Sequence, residues 1–228
     1  MPEGTEGLYA GANYPVVGAL PRLAAQRRLN RGFEGLALSD DGRRLHVAFQ
    51  SPLAHPDDEA GRRARHVRLW TLDIATGALL AEHLYPLDPP KSFRRDDDLG
   101  DVDRADVKLC DMAMLGGDQL LVLERVSATA KLYSVRLDPE GVVTASWSDP
   151  TTRPTLEQLS AEDALDVPVL AKRLLFSTDD YPEIGPDLEG LTCLDDRTIL
   201  LVNDNDFGVE GMAMRFWRVE FTKPLEQA

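Results

Sequence analysis

Apolar and polar residues alternate with a period of two over short runs of this chain, and the runs come in pairs joined by tight polar turns. That pattern predicts β-strands with one buried face, paired as hairpins. Three segments carry the same version of it: FEGLALSDDGRRLHVAFQ from Phe33, CDMAMLGGDQLLVLER from Cys110 and LEGLTCLDDRTILLVND from Leu188. An acid stands next to the start of each (Glu34, Asp111, Glu189), and these acids recur 77 and 78 residues apart. A third alternating strand follows each hairpin, at HVRLWTLDI from His66, KLYSVRLD from Lys131 and MRFWRVEF from Met214. Fourth strands are expected at ALLAEHLY from Ala78 and GVVTASWS from Gly141.

Four antiparallel strands per repeated unit make the blade of a β-propeller. The expected fold is therefore all-β, with antiparallel propeller blades near residues 30–85, 107–148 and 187–221 of a single domain spanning 1–228. About three blades are about half of a six-bladed ring. The other half is expected from a second copy in a homodimer or from a missing N-terminal segment. A β-sandwich with three similar hairpins is the alternative architecture. Residues 51–65, 86–106 and 149–186 read as inserted loops, the last holding TLEQLSAEDAL, where Thr155 or Ser160 is placed to cap a short helix.

Charge narrows the partners. The chain has 25 Lys and Arg against 39 Asp and Glu, a formal charge of −14, which repels nucleic acid and anionic membranes. No run approaches a membrane span, and the first residues lack a basic segment followed by an apolar one, so a cytoplasmic location is expected for the chain as given. Cys110 and Cys193 lie in apolar runs and read as small buried hydrophobes.

The first strand of a propeller blade faces the central channel, so Glu34, Asp111 and Glu189 are expected to converge there. Gln50, Glu124, Asn203 and Asp204 end the second strands at the same level. Converging carboxylates repel unless a cation or proton neutralises them, and an all-oxygen set suits calcium, or magnesium after it. The candidate metal ligands are Glu34, Asp111, Glu124, Glu189, Asn203 and Asp204. The candidate catalytic residues are Glu34, Glu189, Arg31 and Arg125. For any single acid the competing expectation is a turn or strand-entry cap that accepts backbone N–H bonds.

The stretches Asn30–Ser39, Asp111–Ala113 with Leu121–Arg125, and Asp187–Leu191 with Val202–Gly208 together resemble the phytase-like propeller family described as having esterase-like activity. The resemblance implies a calcium-dependent phosphoesterase or esterase-like hydrolase that takes a small phosphoester or ester at an acidic channel. It also implies a periplasmic or secreted location for full-length members. A non-catalytic propeller binding module with a structural calcium is the second reading.

Two other motifs compete. His55-Pro56-Asp57-Asp58-Glu59 matches the zinc signature of LmbE-like deacetylases, yet a strand rather than a helical context follows, so residues 51–65 are expected to be a solvated hairpin loop. The run from Asp96 to Asp103 resembles a calcium loop but has Val107 at its twelfth position, and is expected to be solvated or weakly calcium-binding. Lys91, Arg94 and Arg95 before it could hold a phosphate.

Overall fold

The computed structural model describes residues 1–2, 4–159, 167–209 and 211–226. Among these residues the alternating runs form eleven strands in three antiparallel sheets, with short helical turns between them. The first sheet is a meander of β1 (Phe33–Leu38), β2 (Arg44–Phe49), β3 (His66–Asp73) and β4 (Leu79–Pro86). The second is β5 (Lys108–Gly116), β6 (Gln119–Arg125), β7 (Ala130–Arg136) and β8 (Lys172–Ser177). The third is β9 (Leu188–Cys193), β10 (Thr198–Asn203) and β11 (Phe216–Glu220). The all-β expectation holds, and none of the three sheets closes on itself. No helix among the described residues is long and apolar enough to cross a membrane.

The first strands of the sheets are neighbours, β1 lying against β5 and β5 against β9. Their contact is close at Gly35, where an added Cβ would fall 2.8 Å from Met112 Cγ and 2.9 Å from Leu109 Cδ2, so a larger residue would displace those two packed side chains. Two apolar cores fill the spaces beside β5. One joins Val47, Phe49, Leu69 and Trp70 to Leu109, Met112 and Val122. The other joins Leu121, Leu123 and Leu132 to Leu188, Ile199 and Leu201. Strand β6 thus feeds alternate side chains to opposite cores. Backbone bonds repeat the joint: Leu109 N–H donates to Gln50 O at 2.9 Å, and Asp187 N–H to Ser127 O at 2.9 Å.

Several expectations need correction. The segment from Gly141 is not the fourth strand of its sheet; 139–141 and 145–148 are 3-10 turns, and β8, inside the supposed 149–186 loop, takes that place. Val143 donates its N–H to Glu82 O on β4 at 2.8 Å instead, and packs with Leu84 and Leu156 in a small third core. Residues 51–65 are not a solvated loop, because Ser51, Pro52 and Leu53 are buried and Asp58–Arg63 is a helix, α1. Asp57 caps α1 by accepting from Ala60 N–H, and Asp58 pairs with Arg28 and Arg62, so the motif's carboxylates hold the chain together. The expected helix near Thr155 is one 3-10 turn, Leu156–Gln158; Ser160 lies outside the described residues. Asp96 is buried in a second short helix, α2 (Arg94–Asp97), and accepts the N–H groups of Ser127, Ala128 and Thr129. Arg94 pairs with Asp179 and Asp180.

Two buried polar clusters bind the inserts to the sheets. Arg68 on β3 is 1 % exposed and forks onto Glu157, with Nε–Oε1 at 2.7 Å and Nη2–Oε2 at 3.1 Å. Its Nη1 meets Glu82 Oε1 at 2.7 Å, and Trp70 Nε1 and Ser148 Oγ also donate to Glu82. In the second cluster Lys172 lies between Glu124 at 2.6 Å and Asp88 at 2.8 Å. Lys131 Nζ and Tyr133 OH also donate to Asp88.

Candidate functional site

Where the three first strands begin, a cavity of about 510 Å³ opens, lined by Asn30, Arg31, Glu34, Gln50, Lys108, Arg125, Ser127, Asp187, Glu189, Asp204, Asp206 and Met212. It is the product of the repeat: Arg31 and Glu34 come from the entry of β1, Lys108 from β5, Asp187 and Glu189 from the entry of β9. Gln50 and Arg125 come from the ends of the paired second strands.

Arg125 is the hub. Its Nη1 donates to Asp187 Oδ1 at 2.7 Å and to Val126 O at 2.8 Å, and its Nη2 pairs with Glu189. Ser127 Oγ donates to the same Asp187 oxygen at 2.8 Å. Arg125 Nε and Arg31 Nη1 are buried without a hydrogen-bond partner among the described residues, a standing deficit of acceptors beside the cavity. Burial, then the charges of Arg125 and Arg31, lowers the Lys108 pKa. Burial, then the neighbouring Glu189 carboxylate, raises that of Glu34. Two guanidinium groups with one unpartnered nitrogen each, a lysine of lowered pKa and one carboxyl inclined to keep its proton therefore share the space with the carboxylates of Asp187, Glu189, Asp204 and Asp206. The thiol of Cys110, buried beside Arg125, is pushed up to about 11 by that burial and stays protonated at neutral pH.

Of the expected site residues, Glu34, Glu189, Asp204, Arg31, Arg125 and Gln50 line this cavity. Asp111, Glu124 and Asn203 do not. Asp111 accepts from Met112 N–H at 2.8 Å and from Leu191 N–H at 2.7 Å, pinning β5 to β9. Glu124 neighbours Arg125 in sequence, so strand alternation turns it to the other face. There it is fully buried and accepts from Tyr85 OH, Asp88 N–H and Lys172 Nζ. Asn203 holds the loop before β11, accepting from Arg215 N–H and donating to Ala213 O. The six residues expected as metal ligands are thus not gathered as one set.

Asn30, Lys108, Asp187, Ser127, Asp206 and Met212 complete the lining without having been singled out for the site. One signal for Lys108 was in the sequence: it stands three residues before Asp111, as Arg31 stands three before Glu34.

The model of the family described as "Phytase-like: Esterase-like activity of phytase" matches residues 6–207 of the chain. A search of curated proteins found no match. With most of its length covered by that match, the chain belongs to the phytase-like family of esterase-like activity.

Proposed function

We propose that the chain is a propeller-type hydrolase that binds an anionic ester, a phosphoester above all, in the cavity at the entries of β1, β5 and β9. The single observation that carries this reading is the convergence of Arg31, Lys108 and Arg125 with Glu34 on one polar cavity. Preorganised cations stabilise charge that grows on a phosphoryl or ester oxygen, and they do so more strongly in a partly dehydrated site. Glu34, whose pKa is raised, is suited to hand a proton to the leaving oxygen. In this reading the sheets are three blades, and a second copy or an N-terminal segment completes the ring.

The family resemblance and the oxygen chemistry of Glu34, Glu189 and Asp204 make calcium, or magnesium after it, the ion to test for. Among the described residues, no three His, Cys, Asp or Glu side chains lie together as a metal-holding group. Arg125 already serves as the cation between Asp187 and Glu189. The residues present therefore do not fit a preformed calcium cage, and the catalytic roles above use none. If an ion is nonetheless held, with water or substrate oxygens completing its shell, calcium raises the melting temperature and Glu34→Gln reduces the rise. An unchanged melting temperature removes the ion and leaves the Arg–Lys site standing.

A panel of phosphomonoesters, phytate and carboxylic esters tests the activity itself. Phosphomonoesterase turnover is expected, with kcat/KM falling about 10²-fold in Lys108→Ala. The second reading, a binding module without catalysis, draws on the cavity lining, which holds no His or Cys to act as base or nucleophile. Inactivity on the whole panel, with inorganic phosphate still bound by the native protein and lost in Lys108→Ala, selects it.

A further inference from the structure

A second cavity, of about 290 Å³, lies against the first sheet away from the charged one, and it has a different chemistry. Its lining is mostly apolar, with Leu80, Ala81, Leu137, Pro139 and Val142 as walls, and it includes His46, Thr71 and His83. Both imidazoles are almost wholly buried, at 1 % and 3 % exposure. Each uses one ring nitrogen on the protein: His46 Nδ1 lies 3.0 Å from Thr71 Oγ1, and His83 Nε2 lies 3.1 Å from Asp138 O. The other nitrogens, His46 Nε2 and His83 Nδ1, are buried without a partner among the described residues.

A carbonyl only accepts, so His83 Nε2 carries the proton, and Nδ1 of the neutral ring is a bare lone pair. Burial lowers the pKa of both rings, so both are neutral at pH 7. A lone pair repels anions. His46 pairs with Thr71 and His83 with Leu69, on opposite sides of β3 and two residues apart along it, so their backbones are about 12 Å apart. That interval, walled by aliphatic side chains, suits a molecule. The charged residues of the lining, Arg44 and Asp118, pair with each other at 3.4 Å.

We infer that the cavity between His46 and His83 is a binding site for a small, uncharged organic molecule with an apolar body and a hydroxyl or N–H donor that bonds to His83 Nδ1. The site is separate from the cavity at Arg125 and takes a ligand of opposite character.

Phenol is the probe. Its size implies a dissociation constant in the millimolar range. Phenol is expected to raise the melting temperature of the native protein and to shift the ¹⁵N resonance of His83 Nδ1 in proportion to occupancy. His83→Phe fills the cavity and removes the donor's acceptor, so the thermal response disappears while circular dichroism still reports a folded β protein. Should that variant not fold, the ¹⁵N shift in native protein decides alone. No ¹⁵N shift at millimolar phenol overturns the inference, as does an equal thermal response in folded His83→Phe. Movement of both histidine signals by zinc but not by phenol overturns it in favour of a metal.

Discussion

Replacing Arg68 by Met should cost about 3–5 kcal/mol of stability, because it strands two carboxylates in a place where water does not reach them. Glu82 and Glu157 are each 2 % exposed, and Arg68 is the cation that bonds to both. The methionine fills much of the volume, so the loss reflects charge rather than a void. In a chain of this length it should lower the melting temperature by about 10 °C. The double exchange Glu82→Gln and Glu157→Gln, made in the Arg68→Met background, should recover part of the loss, since at position 82 the amide oxygen still accepts from Trp70 Nε1 while the amide NH2 donates to the Ser148 hydroxyl oxygen. Denaturant titration of the two variants is the measurement. A loss under about 1 kcal/mol in Arg68→Met, or no recovery in the triple variant, contradicts the account.

Acid should weaken the fold well before its carboxylates are exhausted. His46 is held near a pKa of about 4 by burial and then by the Arg44 charge, while the same residue in the unfolded chain titrates near 6.5. Between those values the unfolded chain binds a proton that the native chain refuses, so stability falls as pH falls from 6.5 toward 4. From pH 7 to pH 5 this one group accounts for about 2 kcal/mol. His83, His66 and His55, all lowered mainly by burial, act in the same direction. Urea titrations at the two pH values should show a smaller difference in His46→Gln than in the native protein. An identical difference would mean that His46 titrates normally in the folded state.

The hairpin repeat was legible because β1–β2, β5–β6 and β9–β10 each write their alternation on consecutive residues. The missed strand, β8, pairs with β7 across a long insert, and no local turn signal links them. The stretch from Gly141 imitated a strand through Val142 and Val143, and Val143 does make one ladder-like bond, though to another sheet. The site was legible as far as the repeat dictated it, through Arg31, Glu34, Arg125 and Glu189. Glu124 was misplaced because adjacent polar residues at a strand end look equivalent in sequence, while the pleat sends one to each core. Asp111 and Asn203 show that an acid or amide at a repeated position can be consumed by backbone N–H groups.

The bonds from the insert to β4 bear on how the molecule behaves in a crowd. Val143 and Leu170 donate to Glu82 O and Leu84 O, so the outer edge of the first sheet is hydrogen-bonded by a passing segment of its own chain. An edge closed in this way offers no template to a foreign strand. The irregular connection between the second sheet's last two strands thus guards its neighbour against aggregation, a task that constrains its path more than its sequence.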